Sequence, residues 1–399
     1  MSSPVFLEHN VPLDEKRLNI PKEEFGLVER EEVIYDAEFR TKSISYGRDV
    51  WIRFMRSPVT VIAAVFVIII IIMGVVGPYI NEYSHTIQHL ELNNLPPRIP
   101  GLERFGIFDG SGVREIQAAN LPNWEPYLIE VLGEFEMSSR AGSIPALRIR
   151  VNEYARRAFE YEREIARGIS PDPTDMYFWF GSDALGRDLF TRLWQGLRVS
   201  LILGFSVVMI NLTIGLMVGS VCGYYGGKTD MLLQRVMEVI SNIPFLPLAI
   251  ILIMFWGSGL RTLIIVLLIQ GWIPVANNVR VQFYRFKSRE YVLASRTMGA
   301  RDARVMYKHI LPNAVGTIVT FIALQVPSVI FTEAFLAYLG LGIEAPNPSI
   351  GVLLRQGQVN LLSYPFMIVS PGIIIVTLML AFNLFGNGLR DAFNPALRK

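Results

Sequence analysis

Val59 to Gly77 is a run of nineteen residues without a charge. As a helix it is long enough to cross the ~30 Å hydrocarbon core of a bilayer. Inside lipid a backbone must satisfy its own polar groups, which leaves helices and closed barrels. A helical run of this kind therefore commits the chain to a helical membrane fold. Five more apolar stretches follow, at about 199–222, 231–256, 260–281, 314–339 and 367–389. They predict an all-α membrane protein with six transmembrane helices. Composition agrees: 51% of the 399 residues are hydrophobic and 18% are charged, against ~25% in soluble domains. The net charge of +2 is too small to suggest a nucleic-acid partner. A single cysteine, Cys222, excludes an intramolecular disulfide. The first apolar run begins too far into the chain for a secretory signal and reads as an uncleaved anchor.

Charge sets the expected orientation. Arg48, Arg53 and Arg56 crowd the start of the first span, so the N-terminus is expected in the cytoplasm. All seven lysines (16, 22, 42, 228, 287, 308 and 399) then fall on segments this six-span topology places inside. Residues 1–56 read as a cytoplasmic tail that ends in an interfacial helix, with Trp51 and Phe54 among the arginines. Residues 57–78 are the first transmembrane helix, and 179–399 a five-helix core.

Residues 79–178 differ in character and are expected outside. They hold turn signals at Pro96-Pro97, Pro100-Gly101 and Asp109-Gly110. Tyr127 to Phe135 and Ala146 to Val151 read as strands, and Asn152 to Gly168 as a helix. This predicts a small extracellular α/β insertion domain. From Asn81 to Tyr177 it contains ten arginines, fifteen acids and no lysine. Arginine forms bidentate contacts with carboxylates. Arg148, Arg150, Arg156 and Arg157 are therefore docking candidates for a partner carrying carboxylates. Beyond the insertion, Leu185, Leu189, Leu193 and Leu197 recur every fourth residue. They predict an amphipathic helix over 181–198, on or against the membrane.

Several spans contain polar or helix-breaking residues: Asn242, Pro244 and Pro247; Gln270 and Pro274; Gln325 and Pro327. Polar groups at membrane depth face protein or a wet cavity, not lipid. Asn242, Gln270 and Gln325 are thus candidates for a translocation path. Glu238 and Glu333 lie near span ends, where headgroups or a partner subunit would meet them.

A basic island stands between the fourth and fifth spans, within residues 282–313. From Arg280 to Lys308 it carries eight Arg or Lys against Glu290 and Asp302. Ser288 is a suitable N-cap. Tyr291 to Met298 reads as two helical turns broken by Gly299. A second short helix runs from Arg301 to Ile310, and Pro312 is expected to limit it. Catalytic and metal-binding patterns are weak elsewhere. Residues 222–229, CGYYGGKT, lack the first glycine of a phosphate loop and follow an apolar span rather than a strand. His85 and His89 have i, i+4 spacing with no third ligand nearby.

The island resembles the loop of permease subunits in binding-protein-dependent ABC importers. That pattern is Glu-Ala-Ala, three residues, Gly, nine residues, Ile-x-Leu-Pro. Ala294, Gly299, Leu311 and Pro312 fall on it; Leu293, Ser295 and His309 replace the Glu, the second Ala and the Ile. FGSDALGRDLFTRL (180–193), GYYGG (223–227), LPNA (311–314), TEAFLAYLGLG (332–342) and AFNLFGNGLRDAFNP (381–395) resemble the C-type permeases of the dipeptide/oligopeptide branch (OppC/DppC-like). The resemblance covers residues ~50–80 and ~178–397; the long segment between them departs from it.

The resemblance implies a non-catalytic permease subunit of a peptide importer in the cell membrane. The loop would dock on an ATPase through Tyr291, Ala294, Ser295, Arg296, Gly299, Ala300, Arg301 and Arg304. The implied partners are a B-type permease, two ATP-binding subunits carrying ATP and Mg, and an extracellular peptide-binding protein. No cofactor is expected on this chain. A nickel permease and a secondary transporter are the alternatives, although the coupling residues and internal repeats of the latter are not evident.

Overall fold

The computed structural model describes residues 46–139, 142–168 and 170–393. The expected cytoplasmic tail falls mostly on residues 1–45, outside the described residues. In chain order the helices before the insertion are α1 (Tyr46–Arg56) and α2 (Pro58–Val76). The insertion holds β1 (Ser111–Gln117), β2 (Leu128–Ser139), β3 (Gly142–Asn152), α3 (Glu153–Glu160) and α4 (Glu162–Ala166). Then come α5 (Leu189–Tyr225), α6 (Gly227–Ser241), α7 (Phe245–Trp256), α8 (Leu260–Phe286), α9 (Glu290–Thr297), α10 (Asp302–Arg304), α11 (Leu311–Leu336), α12 (Ile350–Val359) and α13 (Phe366–Phe393). Among the described residues, five helical segments are long and apolar enough to cross a membrane, and the bent pair α6–α7 makes a sixth crossing if counted as one span.

Local chemistry explains most boundaries. Ser57 caps α2 and Pro58 sits in its first turn, where a missing N–H costs nothing. On α1, Val50 and Phe54 pack against Ala392 and Phe385 of α13, while Trp51 remains exposed. The pair α5 and α8 lies closest, because α5 presents glycines to it. A Cβ at Gly219 would stand 2.3 Å from the Ala276 carbonyl, and one at Gly223 would stand 2.5 Å from Phe283 Cβ. Small residues at such contacts let backbones approach and gain dispersion energy where lipid supplies no hydrophobic drive. Along this parallel pair, Gly215 meets Val275, Gly219 meets Val279 and Gly223 meets Phe283.

Several expectations need correction. Residues 181–198 are not one amphipathic helix. Asp188 Oδ2 accepts from the Thr191 N–H at 2.8 Å, so the helix starts at Leu189 and leaves Leu185 in a turn. With no breaker ahead, α5 then runs unbroken for 37 residues into the predicted span. The third span is bent by 74° between α6 and α7. Pro244 explains the break, because a proline disfavours helical backbone at the residue before it, Ile243. Pro312 does not end the helix before it. A π-helical stretch, Val305–Ile310, leads into α11 with Pro312 in its first turn. A π-bulge shifts the bonding register there, so the proline's missing donor is absorbed. Ser288 does not cap α9; Arg289 occupies the N-cap position, with no side-chain bond. β1 and α12 are elements the sequence reading did not contain. Glu333 is not at a headgroup: it is fully buried, and Ser200 Oγ donates to its Oε2 at 2.9 Å.

The insertion is an antiparallel sheet of order β1-β3-β2. Ile116, Leu147, Ile149 and Val151 form its core with Leu121, Trp124 and Tyr127. The predicted helix 152–168 is divided at Tyr161 into α3 and α4. Glu153 is buried between Arg114 (2.5 Å) and Arg156 (2.9 Å). Burial works to raise its pKa, but the two guanidiniums outweigh burial and hold the group below the usual carboxylate range.

The root of the insertion is bonded tightly to the start of α5. The Ser182 N–H donates to Leu95 O, its hydroxyl to Leu92 O, and the Asn94 N–H to Asp183 O. Asn81 Nδ2 reaches Asp188 at 2.7 Å. Asp183 holds two buried arginines, Arg187 at 2.7 Å and Arg192 at 3.4 Å. His85 lies beside these cations. Burial and then Arg192, Arg187 and Arg198 push its pKa below the ordinary histidine value. By connectivity, the insertion and the loop 287–310 lie at opposite ends of the bundle.

Candidate functional site

The basic island folds as a short helix, a left-handed turn and a second helix. In α9, Val292 and Ser295 are three residues apart, share a face and are buried. The helix ends at Gly299, whose φ of +78° lies in the left-handed region that favours glycine. The Ala300 N–H donates to Ser295 O at 3.1 Å and the Gly299 N–H to Arg296 O at 2.9 Å. Those two bonds define a Schellman stop. Val292, Val305, Met306 and Ile310 then pack on Val279, Phe283 and Tyr224. The loop is thus seated on the ends of α5 and α8.

A polar staple fixes the second half. Tyr224 Oη donates to Asp302 Oδ1 at 2.6 Å and accepts from Arg296 Nε at 3.2 Å. The Arg296 guanidinium also lies 4.6 Å from the centre of the Tyr224 ring. Beside it, Arg280 makes a bidentate pair with Asp230, both bonds at 2.6 Å. Tyr224 belongs to the GYYGG stretch that closes α5, and no sequence spacing links it to Asp302. Tyr224→Phe removes both bonds, a loss of ~1–2 kcal/mol of local stability. Trypsin is expected to cut the Tyr224→Phe chain at Arg296 and Arg301 several-fold faster, with unchanged helix content. Equal cleavage rates would show that the staple does not hold the loop.

Of the eight coupling candidates, Tyr291, Ala294, Arg296, Gly299, Arg301 and Arg304 are exposed. Ser295 is buried, and Ala300 is half-buried against the inner core. Residues absent from the expectation stand out more. Met298 is 81% exposed at the tip, and Leu293 and Tyr307 are exposed near it. An apolar tip on a rigid basic scaffold has the character of an interface core with a charged rim.

The path candidates separate. Gln270 Nε2 donates to Ile240 O (3.0 Å) and Ile243 O (2.7 Å), and Asn242 Nδ2 donates to Glu238 O (2.7 Å). Both satisfy carbonyls at the α6–α7 break. Gln325 instead lines a small void with Asn211, whose buried Oδ1 has no partner. The four docking candidates are all engaged inside the insertion. Arg148 pairs with Glu115, Arg150 with Asp109, Arg156 with Glu153 and Glu160, and Arg157 with Glu160 and Asn93. Residues 222–229 form a turn between two helices with Gly226 and Gly227 at positive φ, not a strand-to-helix phosphate loop. His89 lies 3.4 Å from Glu91. Among the described residues no group of three His, Cys, Asp or Glu is placed to hold a metal.

Comparison with known proteins matches this arrangement. Residues 215–399 match the family model "Binding-protein-dependent transport system inner membrane component". Residues 45–97 match "N-terminal TM domain of oligopeptide transport permease C". The oligopeptide transport system permease protein OppC of Bacillus subtilis is 44% identical over 227 residues, covering 57% of this chain and 74% of that one. The dipeptide transport system permease protein DppC of the same organism is 32% identical over 400 residues, covering both chains completely. A glutathione transport system permease protein GsiD of Escherichia coli is 35% identical over 246 residues, 58% of this chain and 81% of that one. Among solved structures, the MetNI methionine ABC transporter aligns with a TM-score of 0.42 at 20% identity, over 51% of this chain and 96% of that one.

These family matches, with the apolar crossings, make the chain a multi-pass inner-membrane permease subunit of an ABC importer. Within that class the chain belongs to the OppC/DppC-like permeases of the peptide-importing branch.

Proposed function

We propose that this chain is one of two membrane subunits of an ATP-driven peptide importer, with the translocation path between it and a B-type permease. The observation that carries the reading is the seated loop, with Met298 exposed at its tip and arginines around it. Two ATP-binding subunits dock such loops and carry the ATP and magnesium; this chain itself is non-catalytic. Both termini and the loop face the cytoplasm, in line with the lysine distribution. The test is uptake by proteoliposomes containing the chain with its partner permease, ATPases and binding protein. Peptide accumulation that requires ATP supports the reading. Uptake of nickel instead of peptide, or uptake driven by an ion gradient without ATP, overturns it.

The insertion is the docking platform for the peptide-binding protein. Arg148 is the best placed of its arginines. Its side chain is 56% exposed, and its pair with Glu115 is a surface pair worth ~1 kcal/mol or less, so a partner carboxylate can replace Glu115. The Arg98 N–H bonds to Phe178 O at 2.8 Å, so a short linker can join these two ends when residues 99–177 are removed, at the loss of Tyr154 from the cluster with Leu92 and Leu95 and of Arg157 from Asn93. The shortened chain is expected to assemble with the ATPases and lose most affinity for the loaded binding protein, the loss being larger at low salt. Unchanged affinity in an assembled complex would leave the insertion a structural cover.

A further inference from the structure

The TEAFLAYLGLG stretch, which the coupling loop does not explain, builds a cavity at the insertion end of the bundle. The cavity is about 460 Å3 and lies between the α7–α8 turn, residues 337–345 and α12. This falls within the ~300–1,000 Å3 of small-ligand sites. Two ionised groups of opposite sign line it, Arg355 from α12 and Glu344 from the connection before it. Both are exposed, and among the described residues neither has an ion pair or hydrogen bond. The arginines of the nearby root contrast with this, since Arg187 and Arg192 are both paired with Asp183. Gln356, Asn360 and Ser258 supply neutral hydrogen-bonding groups.

The seat of Arg355 is shaped by Gly340. This residue has φ +88°, and a Cβ there would lie 2.8 Å from Arg355 Nη1. The guanidinium rests across bare backbone and remains open on its cavity side. The wall behind it is also positive. Arg192 is 1% exposed, donates to Gln356 Oε1 at 3.3 Å, and has no hydrogen-bond partner at Nε or Nη1. One carboxylate, Asp183, serves both Arg187 and Arg192.

We propose that this cavity is a substrate subsite for short zwitterionic peptides, with Arg355 receiving the terminal carboxylate and Glu344 the terminal ammonium. A planar guanidinium matches a carboxylate through two parallel N–H donors. A carboxylate accepts from an ammonium, and the neutral groups between them meet the peptide backbone. The site would hold a peptide after its release from the binding protein and before it moves through the bundle.

This inference rests on the peptide-import reading, and one experiment separates the two. The complete transporter is reconstituted with wild-type chain, Arg355→Gln, Arg355→Lys or Glu344→Gln, and uptake of radiolabelled trialanine is measured. Assembly with the partner subunits is verified for each variant by co-purification before uptake is compared. Each glutamine variant is expected to lower uptake at limiting peptide about tenfold, the scale of one charge-assisted hydrogen bond. Arg355→Lys is expected to retain more uptake than Arg355→Gln. Wild-type uptake in both glutamine variants would overturn the subsite and leave peptide import standing. No uptake of trialanine or of longer peptides by the wild-type transporter, together with uptake of a non-peptide substrate, would sink both readings.

Discussion

Gly299→Trp is expected to abolish coupling while leaving the chain inserted and folded. Gly299 has φ +78°, and a Cβ built on it meets nothing within 4 Å. No clash inside this chain can therefore account for a large effect. Placing a non-glycine residue in the left-handed region costs roughly 1–2 kcal/mol, too little to unfold a loop seated on Val279 and Phe283. The open space above Gly299 lies beside the exposed Met298 tip, where an ATPase groove would close. An indole there would hold the two proteins apart. Substrate-stimulated ATP hydrolysis should fall at least tenfold with Gly299→Trp, and the ATPases should be lost during purification. Gly299→Ala separates the causes, since it carries the backbone cost without the bulk. It should retain most activity. Normal stimulated hydrolysis by Gly299→Trp would remove the loop from the coupling mechanism.

At the other end of the bundle, Gly186→Ala should disrupt the root of the insertion. Gly186 has φ +72°, and a Cβ there would lie 1.7 Å from His89 O and 2.6 Å from its carbonyl carbon. Those atoms are backbone, so no rotamer change relieves the overlap. The segment around His89 would have to move and take with it the bonds that join Ser182 to Leu92 O and to the Leu95 N–H. That movement would also open the buried Asp183–Arg187–Arg192 cluster. Breaking such a buried pair costs ~3–5 kcal/mol. Gly186→Ala is expected to expose the insertion root to proteolysis and to lower the melting temperature of the purified chain by several degrees. A variant with wild-type melting and protease resistance would mean that this root is not the joint the geometry describes.

These two glycines differ in how far the sequence reveals them. Gly299 stands between two short helical patterns in a basic island, so its role in stopping α9 is local. Gly186 belongs to a stretch whose leucine spacing suggested a helix over 181–198. The Asp188 cap and the contact with His89, 97 positions earlier, prevent it. Gln270 makes the same point. A glutamine within an apolar span marks protein or water contact, but only the 74° break places two carbonyls within its reach.

The sequence by itself determined the membrane class, the apolar crossings, the charged insertion and the helix–Gly–helix loop. Those features depend on charge-free run length, turn chemistry and local periodicity, which neighbouring residues carry among themselves. Tertiary structure decided the rest. It made α5 a single long helix and joined Tyr224 to Asp302. It buried Glu333 beside Ser200 and Arg192 behind α12, and engaged the four insertion arginines within their own domain. Each of these results depends on a partner remote in sequence or on whether water reaches the group. Neither quantity is a property of local pattern, because both arise only when the helices pack.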